Sequence, residues 1–342
     1  MPVKAALPAA ASQLARALPR ARLHPRVLQW AEKTSPRAIW CVAFSGGADS
    51  LALLLLLWAH WPERRGRLRA LHFNHRLRGA ASRADAAFCR RVCASLGVEL
   101  IEGAWKEARK NASEAEARSA RLKFFERHSR LLWLGHQQDD IAETMLMRLA
   151  RGSGSSGLGA PRPVQRMQGG RTHLRPLLTL KKKELIAALR AAGIAWREDA
   201  SNQGDDFFRN RLRHSVLPAW AQAAGRDALA GAALARELLE EDDDALEHWL
   251  ETIAPLGSDG VLDLRKLTGM PRGLIRRALH RWLAAQKGKH IGELSRQGFE
   301  RLLEAVIEAR ATRQSLGARA FAVIQRGQLR VERAARSLEI TA

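Results

Sequence analysis

Short apolar runs separated by stretches of helical periodicity fill the first two thirds of the chain. Four runs, Ala38–Phe44, Leu68–Phe73, Val98–Ile101 and Leu131–Leu134, are too short for buried helices and predict buried strands. Between them, apolar positions recur at helical spacing over about 49–60, 81–96, 112–129 and 138–150, and a fifth strand is predicted near Thr172–Leu177. Such alternation predicts an α/β domain, a parallel sheet covered by helices on both faces. Ligands of these sheets bind beyond the carboxyl ends of the strands, where the strand order reverses. The positions to inspect therefore begin at Ser45, His72, Glu102 and Gly135.

From about residue 216 the texture changes. Helical patterns are predicted over 227–250, 274–285 and 293–309, followed by an alternating tail, 318–331, that predicts a hairpin around Arg326–Gly327. Pro218 puts a domain boundary near 217–224. Before residue 36, one early Lys and an apolar stretch broken by Pro8 and Arg16 predict a loose extension without a signal peptide, hence a cytoplasmic protein. The longest apolar run, Leu51–Ala59, is about half of what a bilayer-spanning helix needs, which excludes a membrane partner.

Charge narrows the function. The 342 residues hold 57 Lys+Arg against 35 Asp+Glu, a net charge of +22, with 46 Arg and only 11 Lys. Guanidinium groups bind phosphate bidentately, so the excess suits a polyanion, most simply a nucleic acid. Three cysteines make no disulfide framework, and none has zinc spacing.

The strongest motif is FSGGADS, Phe44 to Ser50, between a buried strand and an apolar helix. Adjacent glycines let backbone N–H groups approach an anion, and the following helix adds its positive end. Ser45, Gly46, Gly47, Ala48, Asp49 and Ser50 form a candidate phosphate loop in which Asp49 is placed to hold Mg²⁺. The bland alternative is an ordinary strand–turn–helix. No G-x-x-x-x-G-K-[ST] is present, and the G-x-G-x-x-G of Gly152, Gly154 and Gly157 follows a helix, so it lacks its dinucleotide context.

A second constellation, GHQQDDIAET, follows the fourth strand. His136, Asp139, Asp140 and Glu143 fall at offsets 0, 3, 4 and 7, which predicts one helical stripe with four ionisable groups. Capping explains one or two acids there; a Mg²⁺ and acid–base site explains all four. His72 and His75 spell HxxH without a third ligand. Arg118 and Arg121 share a helix face, with Glu114 four residues before Arg118. Arg209, Arg211 and Arg213 beside Phe207 and Phe208 suit an RNA or phosphate surface, or a helix packing its Phe residues inward.

SGGADS resembles the loop of the N-type ATP pyrophosphatases. Together with HFNHRLRG, EAEARSARLKFF, GHQQDDIAETMLMRLARGSGSSGLGA, RPLL and EDASN…RNRLRHSVLP, it is similar to the tRNA(Ile)-lysidine synthetase family over about 38–218. The resemblance implies a Rossmann-like ATP pyrophosphatase domain, 36–218, after an extension, 1–35, and a mainly helical tRNA-binding domain with a C-terminal hairpin, 219–342. It implies ATP and Mg²⁺ as cofactors, with L-lysine and a CAU-anticodon tRNA(Ile) as substrates; no stable protein partner is inferred. In that family ATP adenylates O2 of the wobble cytidine, and the lysine ε-amine then displaces AMP at C2. The matching positions here are Asp49 and Asp140 for the metal, Arg118 and Arg209 for phosphate or developing charge, and His136 and Glu143 for orienting substrate or accepting the lysine proton. Leu122 and Gly135 stand where the family commonly has Tyr and Ala. A tRNA thiolation enzyme, which needs reactive cysteines, and an RNA-binding protein with a dead nucleotide loop are the alternatives.

Overall fold

The computed structural model describes residues 6–76, 79–105, 114–198, 208–286, 292 and 294–334, which divide into two compact units at Glu240/Glu241. In the first unit, α1 (Ala6–Ala17) and α2 (Pro25–Lys33) precede β1 (Trp40–Ala43). There follow α3 (Ala48–His60), β2 (Leu68–Asn74), α4 (Ala80–Leu96), β3 (Glu99–Ala104), α5 (Glu114–His128), β4 (Leu131–Trp133) and α6 (Gln138–Leu149). The unit continues through α7 (Ser155–Leu158), β5 (Val164–Met167), β6 (Arg171–Leu174), α8 (Lys182–Ala191), α9 (Phe208–Arg211) and α10 (Leu217–Ala224). The long α11 (Ala228–Ile253) includes the division between the two units.

The sheet order is β3-β2-β1-β4-β6-β5, parallel except for β5, which runs antiparallel to β6 at the edge. Chain order reverses between β1 and β4, whose carboxyl ends are neighbours. The predicted phosphate loop and the His136 block therefore emerge side by side at the switch point.

Every residue of α3 from Leu51 to Trp58 is buried, which is why this stretch shows no amphipathic period. One side of it is covered by α1, so residues 6–17 are not the loose extension expected. Helix α1 packs on α3, and Ala11, Leu14 and Val27 are completely buried. The alanine and leucine spacing that read as a broken signal sequence is the apolar stripe of a packed helix.

The second unit holds the end of α11, β7 (Leu262–Asp263), α12 (Arg272–Gln286), α13 (Arg296–Ile307), β8 (Thr312–Gly317), β9 (Ala320–Gln325) and β10 (Gln328–Arg333). The predicted hairpin is β9–β10. Arg326 and Gly327 both have positive φ, 53° and 71°, the two-residue geometry whose twist matches paired strands. The helical reading of this unit gains two strands, β7 and β8, that complete an antiparallel sheet of order β7-β10-β9-β8. Its core is Leu250, Leu274, Trp282, Leu302, Leu303, Ile324 and Leu329.

Candidate active site

Helix α3 starts without a side-chain cap: Gly47 is its N-cap and offers no side-chain acceptor. Its first N–H groups are therefore left for an anion. Gly46 has φ +87°, and a Cβ there would come within 3.2 Å of Phe88 and 3.3 Å of Cys89 on α4, so only glycine fits. Ser45 and Ser50 brace the loop: Ser50 Oγ accepts from Ser45 N at 3.2 Å and donates to Gly47 O at 3.1 Å. Gly135 allows β4 to end against this turn, since a Cβ would meet Asp49 O at 2.9 Å.

Asp49 is the unsatisfied member. Its Oδ1 is buried with no hydrogen-bond partner. Burial first, and then the charge of Asp140, push its pKa up from 3.8 to about 6. A cation would relieve both effects, so the residue fits the Mg²⁺ role that the resemblance assigns. Asp140 is more occupied. Its Oδ2 accepts from Gln137 N at 2.9 Å, capping α6, and its Oδ1 accepts from Arg209 Nη2 at 2.6 Å.

Glu143 is completely buried and held by two arginines. Arg209 Nε donates to Oε2 at 2.6 Å, and Arg213 donates from Nε to Oε1 at 2.6 Å and from Nη2 to Oε2 at 3.0 Å. A π-helical turn, Leu212–Val216, joins α9 to α10, and Arg209 and Arg213, four positions apart, reach the same carboxylate. Two of the three arginines read as an RNA surface thus face the site. Phe208 is 38 % exposed rather than packed inward, and Phe207 lies outside the described residues.

The four-group stripe does not form as expected. Gln137 is the N-cap of α6, so His136 precedes the helix, and Asp139 turns away to accept from Lys182 N at 2.9 Å, capping α8. Instead, His136 Nδ1 accepts from Arg175 Nε at 3.1 Å. Burial and then the charges of Arg175, Arg209, Arg118 and Arg121 hold its pKa well below the usual 6.5. Arg118, exposed on α5, lies with Leu122 along an open cleft of about 360 Å³. Arg175 and Arg213 reach the site although their sequence context assigns them no catalytic part. Arg175 stood in the quoted RPLL block, and Arg213 was visible only as one more cation.

Among the described residues no group of three or more His, Cys, Asp or Glu is placed to hold a metal ion. His72 Nδ1 lies 2.9 Å from Phe44 O and 3.4 Å from Cys89 Sγ, under the loop. The three cysteines are buried, and burial raises their pKa, to about 11 for Cys41 and about 12 for Cys93. None is a ready thiolate. Among the described residues no helix is long and apolar enough to cross a membrane.

The sequence matches a known family: the PP-loop domain profile covers residues 20–220. The chain belongs to the PP-loop family. A second profile, the TilS substrate binding domain, covers residues 262–330 of the other unit. Among curated relatives, a tRNA(Ile)-lysidine synthase of Symbiobacterium thermophilum is 36 % identical over 279 residues, 75 % of this chain and 58 % of its own length. One from Geobacter sulfurreducens is 35 % identical over 275 residues, 76 % of this chain and 56 % of its own. The chain spans just over half the length of these relatives. A U34-tRNA thiolase from Methanococcus maripaludis aligns in three dimensions with a TM-score of 0.48 at 17 % identity, over 68 % of this chain and 78 % of that one.

Proposed function

We propose that this chain is an ATP-dependent ligase of the PP-loop family that joins L-lysine to C2 of the wobble cytidine in a CAU-anticodon tRNA(Ile). The product is lysidine, and decoding changes from AUG to AUA. The observation that carries the reading is the pairing, at the β1/β4 switch point, of an uncapped glycine loop with the Asp49, Asp140, Glu143 and Arg209 cluster. The names of the relatives support the choice of substrate.

Loop N–H groups from Ser45 to Ser50 and the start of α3 receive the triphosphate. Asp49, with Asp140, would hold Mg²⁺, which would supply positive charge to the phosphates. O2 of the cytosine attacks the α-phosphorus and the bond to pyrophosphate breaks. Arg118 and Arg209 supply positive charge for that departure. The lysine ε-amine then attacks C2, AMP leaves with O2, and the amine gives up a proton. Residues 36–218 hold ATP in this reading, and 219–342 bind the tRNA body.

The test supplies ATP labelled at the α-phosphate with a CAU-anticodon tRNA(Ile) transcript, first without lysine and then with labelled lysine. AMP should appear on the tRNA and be replaced by lysine in equal amount. AMP that never reaches the tRNA, or sulfur entering from a donor while lysine does not, would overturn the reading.

A further inference from the structure

One contact fixes what the His136 ring can do. The donor, Arg175, follows β6 and is itself held. Its backbone N–H donates to Pro163 O at 2.8 Å and its Nη1 donates to Arg162 O at 2.7 Å. With 6 % of its surface exposed, it is a built-in neighbour rather than a passing surface side chain. A guanidinium has five N–H donors and no lone pair, so its 3.1 Å contact requires a bare lone pair on His136 Nδ1. A neutral imidazole with a bare Nδ1 carries its proton on Nε2. Among the described residues Nε2 has no hydrogen bond, and the ring is partly exposed, so that N–H is available to a ligand.

We propose that Arg175 is a positioning residue that locks His136 in the Nε2–H tautomer, so that His136 serves as a hydrogen-bond donor to an anionic or carbonyl oxygen and not as a base. That the oxygen belongs to the nucleotide or the cytosine rests on the function proposed above. To accept a proton at Nε2 the ring would first have to lose the one it carries, and Nδ1 is covered by a cation. The arginines around it, Arg175 on the β6 side, Arg209 on α9, and Arg118 and Arg121 on α5, all oppose a second proton. The proton of the lysine amine then goes elsewhere than His136. This also explains why a cation is buried beside a histidine: a carboxylate there would select the opposite tautomer and favour the charged ring.

The lock is read first on the ligand-free protein. Long-range proton–nitrogen correlation spectra of the full chain, labelled with ¹⁵N-histidine and assigned with His136→Gln, should show the Nε2–H form with no titration across the neutral range. In Arg175→Met the Nδ1–H form or the imidazolium should appear, and AMP transfer to tRNA should slow about 10–100-fold, the usual effect of losing an orienting partner, with KM for ATP little changed. Arg175→Lys keeps a donor and should restore the tautomer. His136→Gln keeps an N–H donor but no base, so it should retain more AMP transfer than His136→Ala. A Nδ1–H ring in the wild-type protein, an unchanged ring and rate in Arg175→Met, or equal loss in the Gln and Ala variants would each overturn the proposal. The spectra need no substrate, so a wild-type chain that fails to transfer AMP would sink the proposed function and leave the tautomer result standing.

Discussion

Asp49 and Asp140 meet the site from two strand ends, and only one of them is satisfied by the protein. Asp140 is tied down by a backbone N–H and by Arg209, whereas Asp49 keeps a buried oxygen without a partner. An acceptor left bare in this way is costly to the fold and is retained where a ligand completes it. Asp49→Ala should therefore lower AMP transfer to tRNA by about 10²–10³, the usual loss for one electrostatic contact to a transition state. Its ligand-free stability should not fall. Transfer near the wild-type rate at saturating Mg²⁺, or a large drop in the unfolding midpoint, would contradict this account of Asp49. The sequence exposed Asp49 because its neighbours are glycines and serines at a strand end. It hid Arg175, because nothing local shows which arginine of many will reach a histidine 39 positions away.

At the scale of elements, strands and helices with a regular period were legible, and junctions were not. The predicted first four strands are all present because each carries a short apolar run, although β3, at the sheet edge, is half-exposed rather than buried as expected. The antiparallel β5, Val164–Met167, was missed since its sequence, VQRM, holds no apolar run. The stripe from His136 to Glu143 failed because helical spacing was extended through Gln137, which is a cap. The N-terminal helices were undervalued for a related reason, that their partners lie far along the chain. Helix α2 shows this directly. Its cap, His24, accepts from Arg26 N through Nδ1 at 3.3 Å and faces Glu237 of α11 at 3.6 Å. Burial, then Arg236 and Arg26, lower the His24 pKa from 6.5 to about 4. The folded ring thus resists a proton that the unfolded chain accepts. The resulting stability is complete above pH 6.5 and is lost as pH falls toward 4, by up to about 3 kcal/mol. His24→Asn keeps a capping acceptor and removes the titration. Denaturant unfolding across that window should show a flatter pH dependence for the variant, and identical slopes would remove His24 as the source.

For the whole molecule, the useful quantity is where the charge lies. Residues 241–342 hold 17 Lys+Arg and 14 Asp+Glu, a net +3, so +19 of the total +22 belongs to residues 1–240. Cations of the second unit are also engaged, as in Arg276 with Glu300 at 2.5 Å and Arg272 with Glu304 at 2.6 Å. Affinity for a tRNA has a part that depends on counterion release and a part that depends on shape. If the chain acts on tRNA as proposed, the charge division predicts that the first part comes from the PP-loop unit, even where the second unit supplies a gripping surface. Each phosphate contact contributes about 0.7–0.9 to the slope of log K against log salt. Replacing Arg118 and Arg151, whose charges both bear on Arg148 beside the site, by Gln should lower that slope by about 1.4–1.8. Replacing the exposed Arg313 and Arg319 of the second unit should change the slope little, whatever it does to affinity at fixed salt. The measurement is a salt titration of tRNA binding for the wild type and the two double variants, and a larger loss of slope in the second pair would place the electrostatic grip on the C-terminal unit instead.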